Sequence, residues 1–488
     1  MAQGTVKKGF FFYFGLFFLL IFAVFMVCLV IMMFNPGKTI LWMQYFTSNT
    51  NQYVEKDSNG AEIDYASINS IKINCDYAKV SVVSNNAEKN NTKGGGIYII
   101  NNAKGFVVAK DAKAFDYKVS LSGGALTIDI VENTGFLFFS KDVEVVINGY
   151  SNLNLNGVSL SVDASGASDV YFGDQTNIND QTFSLASANI KTANGSIMFG
   201  KYFKTESLGG NAVFSSNTGK ITSYDNNANF SGVNSLSIET EKGRVNFDKT
   251  FTATGVDVTL KNKNGTMNFG TFTADSVDVY CSQGNFKFDT LTVTNGISFE
   301  NSIDTIISPI VDIKTLNGDL NLNATGVDGV SSPTLNIEVM NGNLDVLSSK
   351  GAVNIKEAKK KVYILSQTDN KDGSMNVNVN VSDGNTGFID ITTEKGKIYL
   401  GYIGAVPSST KLQTRNGDIT INFTTGAAFT TTAKNFDGSA ALAEDRINTN
   451  PKLTDGKKSE LSYGSSATGS IAVFTDAKLY YNLVKEVK

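Results

Sequence analysis

A glycine-centred unit recurs ten times through this 488-residue chain. In its general form the unit reads apolar, x, small, x, x, Gly, x, apolar, x, apolar. The first four gaps between glycines are 24, 24, 22 and 19 residues, and later gaps vary as loop insertions would make them. A repeat in the low twenties is typical of a solenoid rung and too short for a propeller blade. The ten glycines are Gly195, Gly219, Gly243, Gly265, Gly284, Gly318, Gly342, Gly351, Gly396 and Gly417.

Each position of the unit has its own kind of side chain. The residues two and four places after the glycine are apolar, with Ser223 as the single exception. Apolar residues return five places before it. Three places before it the side chains are mostly small or hydroxylic, which suits the inside of a tight corner. This small-residue column comprises Thr192, Ser216, Thr240, Asn262, Cys281, Thr315, Val339, Ser348, Thr393 and Thr414.

Two all-β arrangements bury these columns. A ladder of antiparallel hairpins would turn at the glycine, whereas a β-solenoid would place the glycine at a corner with positive φ and stack each column on the next rung. The residue before the glycine is asparagine in five copies but threonine, lysine or glutamine in the others. Because threonine disfavours the type I′ hairpin turn, the sequence favours a repetitive, parallel β-helix-like solenoid, clearest over residues 190–423.

The N-terminus carries 25 uncharged, mostly apolar residues from Phe10 to Phe34. As a helix this run reaches about 37 Å, enough to cross a hydrocarbon core of about 30 Å. Lys7 and Lys8 precede the run and predict a cytoplasmic N-terminus. The alternative is a cleaved signal peptide, whose apolar core is usually shorter and is followed by a small-x-small cleavage site that is missing here.

These features divide the chain into four parts. We expect a cytoplasmic tail at 1–9, a single transmembrane anchor at 10–34, a polar juxtamembrane stalk or linker at 35–67, and an extracytoplasmic solenoid at 68–488. Cys28 lies inside the apolar run and is interpreted as a membrane-buried thiol. At a rung spacing of about 4.8 Å, the body would form a rod on the order of 90 Å long.

Composition narrows the function classes. The chain has no histidine, which removes most zinc, copper and catalytic-triad chemistries. Its three arginines, Arg244, Arg415 and Arg446, stand at different points of different repeats, which argues against a polysaccharide lyase. Three cysteines are too few for disulfide bonds to stabilise so large a body, so its stability must come from packing. With a net charge of −4 and interspersed charges, nucleic-acid binding is not expected.

Three further patterns have a structural and a functional interpretation. Cys281 belongs to the small-residue column, and Cys75 continues the alternation of Ile71 and Ile73 that faces the core. Core positions are therefore favoured over a redox role for both. Asp369, Asp372 and Gly373 hint at a calcium loop, but their spacing fits no EF-hand, and a polar turn is favoured. Aromatic residues four places after the glycine share a face with the apolar column, so core stacking is favoured over a sugar-stacking stripe. They are Phe199, Phe247, Phe269 and Phe288.

The segment INSIKINCDYAKVSVVSNNAE from Ile68 to Glu88, and the later units TLNGDLNLN, VMNGNLDVL and TRNGDITINF, resemble the bacterial putative-adhesin repeat family known as DUF4097. The resemblance covers most of the chain after about residue 65 and is carried best by the recurring Asn-Gly-x-apolar-x-apolar unit. It implies a β-solenoid at the cell envelope and brings no catalytic residues. The long apolar anchor and the irregular rungs after Gly284 depart from many members.

The sequence as a whole predicts a membrane-anchored, adhesin-like binding or structural protein of the bacterial envelope, without catalytic activity. No catalytic, cofactor-binding or metal-ligating residue is assigned. The expected partners are the membrane and surface glycans or other envelope proteins. Two alternatives stay open: an envelope-stress or regulatory component acting through partner proteins, and a polysaccharide-active β-helix enzyme.

Overall fold

The computed structural model describes most of the chain and shows a predominantly β protein. The described residues are 9–34, 39–40, 43–47, 49–84, 94–107, 115–132, 136–140, 142–149, 152–173, 181–200, 203–205, 208–225, 227–281, 284–300, 310–324, 334–348, 350–366, 374–383, 385, 387–450, 457–464, 469–485 and 487. Besides the strands they contain one α-helix, Phe10–Phe34, and two 3₁₀ turns, Tyr65–Ser67 and Glu444–Arg446.

The strands stack into a solenoid with three faces, numbered in the order in which the chain visits them. Face 1 consists of Phe115–Ser122, Ala125–Glu132, Ser70–Cys75, Ser159–Ala164, Ser187–Thr192, Leu208–Ser216, Val233–Thr240, 257–262, 276–281, 296–300, Leu320–Ala324, Leu344–Ser348, Val362–Ser366, Ile389–Thr393, Thr410–Thr414, Gly469–Thr475, Phe429–Lys434 and Glu460–Tyr463.

At most of the repeat glycines the chain turns from face 1 onto face 2. Face 2 consists of Thr50–Tyr53, Gly96–Asn101, Val143–Gly149, Lys79–Ser84, Val170–Phe172, Ile197–Phe199, Lys220–Ser223, 244–247, 266–269, 285–288, Ile310–Asn317, Thr334–Met340, Lys350–Ala358, Ser374–Val381, Ile398–Tyr402, Ile419–Phe423, Leu479–Leu483 and Ile447–Asn450.

Face 3 is shorter and begins with Gln181–Phe183, Phe203–Thr205 and Asn227–Asn229. Three long strands then bend around all three faces: Arg244–Asn262, Thr266–Cys281 and Asn285–Glu300. The ends of the next three strands, 315–317, 339–340 and 357–358, continue from face 2 onto face 3. A separate small sheet near the N-terminus joins Thr39–Ile40, Met43–Thr47, Lys104–Val107 and Phe136–Ser140.

Successive rungs pair in parallel and in register. On face 2, Val245 lies opposite Met267, and Met267 opposite Phe286. On face 1, Leu260 lies opposite Val279. The all-β solenoid prediction is confirmed, and the hairpin ladder is wrong, because the repeat units pair across rungs instead of folding back on themselves. Antiparallel pairing is found at the two ends of face 1, in Phe115–Ser122 and Glu460–Tyr463, and at the first end of face 2, where Gly96–Asn101 pairs with both of its neighbours.

The core is the interior of the solenoid, where the apolar columns meet. Phe269 is 2% exposed and stacks between Phe247 and Phe288, with ring planes 9° apart on both sides and centroid distances of 6.0 and 5.2 Å. From face 3, Phe251 and Phe272 stack on each other and meet Phe269 edge-on. These offset and edge contacts are favourable arrangements of aromatic rings. Core stacking of the phenylalanines is confirmed.

The corner glycines are needed for a different reason than the positive φ predicted from the sequence. Of the ten, all of which the structure describes, Gly318 and Gly351 have positive φ, at 134° and 131°, and the other eight do not. Instead the neighbouring rung leaves no room for a side chain. A Cβ on Gly219 would lie 1.9 Å from the carbonyl oxygen of Gly195 on the previous rung. Close backbone approach therefore selects glycine at most corners.

The small-residue column closes the same corners by hydrogen bonding. Thr240 Oγ1 accepts the N–H of Gly243 at 2.8 Å, and Asn262 Oδ1 accepts the N–H of Gly265 at 2.7 Å. Thr240 and Asn262 are both buried. A hydroxyl or amide at this position satisfies a backbone donor that would otherwise be left without a partner inside the corner.

Gly318 and Gly342 occupy a different corner from the other copies. They lie between faces 3 and 1, so Leu320 and Leu344, which follow them, extend face 1 and stack on Ile297. The sequence aligned these leucines with Phe286 on face 2, where the structure places Val311 instead. That alignment is wrong for both copies because the same local unit can turn the chain at either corner, and only the pairing between rungs distinguishes them.

Residues 49–67 belong to the folded body and not to a linker. Thr50–Tyr53 pairs antiparallel with Gly96–Asn101, and Val54 and Tyr65 are buried. The Tyr65 hydroxyl donates to the carbonyl of Val54 at 2.6 Å. The linker prediction is wrong here because a short edge strand with polar exposed side chains lacks the alternation by which buried strands are recognised.

The N-terminal helix is apolar on every side. Its segment Phe12–Ile31 has a mean hydropathy of 3.1, and none of it is buried against the body. The helix is long and apolar enough to cross a membrane, a test that a signal sequence near an N-terminus also passes.

Candidate binding surface

A row of polar side chains runs along the outside of face 2. Seven successive rungs contribute one residue each, directly opposite the next in register, and five of the seven are asparagines. All are half-buried or exposed, because side chains alternate between core and solvent along each strand. We call this set the asparagine row: Asn246, Asn268, Lys287, Asp312, Asn336, Asn354 and Asn378.

Hydrogen bonds between rungs tie the middle of the asparagine row. Asn336 Nδ2 donates to Asp312 Oδ1 at 2.8 Å, and Asn354 Nδ2 donates to Asn336 Oδ1 at 2.9 Å. Farther out, the side chains of Asn268 and Asn378 make no hydrogen bond to any described residue. Each of these two amides therefore presents two donors and an acceptor to solvent.

A second row runs parallel to the first, two residues farther along each strand. We call it the charge row: Asp289, Lys314, Glu338 and Lys356. Lys314 Nζ lies 2.6 Å from Asp289 Oδ1, and Lys356 Nζ lies 2.7 Å from Glu338 Oε1. Hydrogen bonding to Asp289 raises the pKa of Lys314, and hydrogen bonding to Lys356 lowers the pKa of Glu338. With two lysines and two acidic residues, the charge row has no net formal charge.

A groove of about 390 Å³ separates the two rows. The asparagine row forms one wall over four rungs and the charge row forms the other. The floor is strand backbone at Phe288, Ile313 and Ile337, whose side chains point into the core. The groove follows the solenoid axis, so it presents similar polar groups once per rung, about every 4.8 Å.

A larger groove, of about 610 Å³, lies on face 1 in the N-terminal rungs. It is lined by four aspartates and the half-buried Tyr117, and Asn74 Nδ2 donates to Asp129 Oδ1 across adjacent strands. Among the described side chains, no three carboxylates or thiols surround a point that a metal ion could occupy. The aspartates are Asp76, Asp116, Asp129 and Asp163.

The other sequence-predicted positions do not come together into a site. Cys75 is buried, its Sγ lies 3.6 Å from the carbonyl oxygen of Ala78, and burial raises the pKa of the thiol to about 11, which confirms a core role. The side chain of Cys281 lies outside the described residues. So do Asp369, Asp372 and Gly373.

Two of the three arginines, Arg415 and Arg446, lie near each other in the last rungs, and Arg244 lies apart from them. Arg415 Nε donates to Glu394 Oε2 at 3.1 Å, and its guanidinium lies 4.4 Å from the ring centre of Phe436. Arg446 donates to the carbonyl of Asp476. Arg244 is exposed at the start of its strand on face 2. Arg415 and Arg446 belong to the two rungs that flank the rung of Asp476, so the dispersal that the repeat positions predict holds for Arg244 and is wrong for the other two.

The asparagine row was within reach of sequence reasoning but was not identified by it. Four of its seven members stand three places after a repeat glycine, at Asn246, Asn268, Lys287 and Asn354. The apolar columns on either side show that this position faces outward. The remaining three could not be placed without the pairing between rungs, since Gly318 and Gly342 mark another corner.

Comparisons with known proteins leave the family open. No protein-family model matches the chain, and no curated protein matches it. One solved crystal structure, described as "a putative cell adhesion protein" from Clostridium sporogenes ATCC 15579, aligns over 90% of this chain and 99% of its own. The two sequences are 10% identical and the TM-score is 0.15, which is too low to establish a common fold.

Proposed function

We propose that this chain is a membrane-anchored, adhesin-like binding or structural protein of the bacterial cell envelope, and that it belongs to the DUF4097 repeat family. In this proposal residues 1–9 are cytoplasmic, the helix Phe10–Phe34 is the anchor, and the solenoid is extracytoplasmic. The observation that carries it is a continuous β-solenoid with a polar outer surface joined to an unburied apolar helix. Such a body holds a long, regular surface away from a membrane.

The proposed role involves no catalysis. The chain has no histidine, and its arginines lie on separate rungs. The outward side chains of the asparagine and charge rows bond mainly to neighbouring rungs, which stiffens the rod and displays a repeated pattern. A repeated surface of this kind suits adhesion or scaffolding, in which many weak contacts add up along one ligand.

The test compares cells that express the full chain with cells that express residues 1–48 alone. Binding of extracted envelope polysaccharide should require the body. Protease added to intact cells, after the outer envelope is opened, should digest the body and leave the N-terminal segment protected. Retention of polysaccharide binding without the body, or a body protected from protease, would refute the proposal. A stress phenotype kept by the 1–48 segment would instead favour the regulatory alternative.

A further inference from the structure

We propose that the groove between the asparagine row and the charge row binds an extended β-1,4-linked hexose chain, laid along the solenoid axis. This inference rests on the proposed function, because it names the ligand class of an envelope-binding protein. It assigns the binding to face 2, where the groove covers the four rungs from Lys287 to Lys356 and the asparagine row continues one rung beyond it at each end, to Asn268 and Asn378.

The spacing of the rungs is close to the length of one sugar in an extended chain. The rungs present one polar side chain about every 4.8 Å in each row. An extended β-1,4-linked hexose chain advances by nearly the same distance per sugar, so each sugar meets one rung, and because each sugar is turned over relative to the last, the same sugar edge returns at every second rung. A peptide strand rises about 3.3 Å per residue and presents the same side about every 6.6 Å, which does not match the rungs. An α-1,4-linked hexose chain curves away from a straight groove.

The hydrogen-bonding groups and the charge of this surface suit a neutral sugar chain. Amide side chains both donate and accept, as sugar hydroxyls do, and five of the seven residues in the asparagine row are asparagines. The charge row contains two pairs of opposite charges, and Lys287 and Asp312 in the asparagine row are a third, so the surface is neutral overall and offers no selective attraction to a polyanion. The surface is therefore suited to an uncharged, hydroxyl-rich ligand.

The side chains at the two ends of the proposed site are available to bind a ligand. Asn268 and Asn378 lie five rung steps apart, about 24 Å, and neither side chain is hydrogen-bonded within the described structure. Between them the amide bonds of Asn336 and Asn354 keep the wall in place. A pre-organised wall with free amides at both ends can hold about five sugars without a large loss of conformational freedom.

The experiment measures affinity for cellohexaose and for maltohexaose by calorimetry, with the full chain in detergent micelles. The wild-type chain should bind cellohexaose more tightly than maltohexaose. The double variant Asn268→Ala/Asn378→Ala should weaken cellohexaose binding by about tenfold, through loss of one or two hydrogen bonds. Because these side chains make no internal hydrogen bonds, the variant should unfold at the wild-type temperature.

The matched control is Asn321→Ala, which removes an exposed, outward asparagine from face 1. Its affinity for cellohexaose should stay within twofold of the wild type. Equal weakening by the control, or equal affinity for the two hexasaccharides, would overturn the inference. So would polysaccharide binding by whole cells that the double variant leaves unchanged, although the proposed adhesive function would then still stand.

Discussion

Glycine has two distinct roles in this fold, and they differ residue by residue. A Cβ on Gly265 would lie 2.2 Å from the carbonyl oxygen of Gly243, although the φ of Gly265 is not positive. Gly255 has a φ of 72°, and beyond its chain neighbours no atom lies within 4 Å of where its Cβ would be. Gly265 is required because the neighbouring rung leaves no room for a Cβ, and Gly255 is required because its φ is positive. The two positions should therefore respond differently to substitution.

Asparagine distinguishes these two roles, because it accepts the left-handed conformation and yet has a Cβ. Gly265→Asn should lower the free energy of unfolding by about 1–3 kcal/mol, as overpacking does. Gly255→Asn should cost less than about 1 kcal/mol, because only the backbone preference is at stake. Urea unfolding of the two variants measures the difference. Equal losses would show that the neighbouring rung makes room for a Cβ at Gly265 and that close backbone approach does not select glycine there.

Ser223 is the one polar residue in the apolar column four places after the glycine, and its position in the core offers a stability test. It is 3% exposed, and its hydroxyl has no hydrogen-bond partner among the residues that the structure describes. Ser223→Ala should therefore raise the free energy of unfolding by up to about 1 kcal/mol, because a desolvated hydroxyl is removed. Thermal unfolding followed by circular dichroism would measure the change.

Ser216 is the matched control. Its Oγ accepts the N–H of Gly219 at 3.0 Å and donates to the carbonyl of Gly195 at 2.8 Å. Ser216→Ala should lower the free energy of unfolding by about 1–3 kcal/mol, since it leaves buried backbone groups without partners. The Ser223 prediction fails if both variants are destabilised to the same extent.

At the scale of strands and rungs, the sequence predicted the inward columns better than the corners. Val245, Met267 and Phe286 stack as the alignment on glycine predicts, because period-2 alternation between core and solvent is a local property. The switch of Gly318 and Gly342 to another corner depends on which strands pair across rungs, and that pairing is not encoded in any one unit. The asparagine row likewise becomes visible only when rungs are aligned in space.

Damage to one rung should stay near that rung. Phe269→Ala should lower the free energy of unfolding by about 3–5 kcal/mol, because it opens a cavity between Phe247 and Phe288. Lys263→Ala should cost no more than about 0.5 kcal/mol, since this lysine is exposed and its ion pair with Glu241 lies at the surface. Hydrogen exchange in Phe269→Ala should rise first over residues 240–290. Equal losses of stability in the two variants would show that the inward and outward sides of the strands are wrongly assigned.

Two buried tyrosines make the last rungs sensitive to alkaline pH. Tyr402 donates to Thr410 Oγ1 at 2.9 Å, and the hydroxyl of Tyr481 is bonded to Thr431. Burial raises the pKa of both phenols well above the ordinary value of 10.0. Above pH 10 the unfolded chain releases these protons while the folded chain keeps them, so stability is complete below pH 10 and falls above it.

Each of these tyrosines should contribute a fall of about 1.4 kcal/mol per pH unit above pH 10. The double variant Tyr402→Phe/Tyr481→Phe should therefore lose about 3 kcal/mol less than the wild type between pH 9 and pH 11. Guanidinium unfolding at the two pH values, followed by circular dichroism, measures this difference. Identical pH dependence in both proteins would mean that the phenols are accessible to water.

The whole molecule is assembled by stacking rungs along one axis. Within the described residues, face 2 contains eighteen strand segments in series and therefore seventeen inter-strand steps. At about 4.8 Å per step, this face extends for about 80 Å. Such an assembly gains most of its stability from contacts between neighbouring rungs, and each rung is a separable unit.

Removal of one complete rung tests this modularity. Deletion of residues 244–265 joins Gly243 to Thr266, so that Thr266 again follows a corner glycine and Met267 takes the place of Val245. The chain should still fold, unfold cooperatively, and shorten by about 4.8 Å. Deletion of 244–254 removes only half a rung and shifts every later strand onto the wrong face, so it should abolish cooperative unfolding. Circular dichroism and thermal unfolding distinguish the two deletions, and similar behaviour would contradict the assigned rung boundaries.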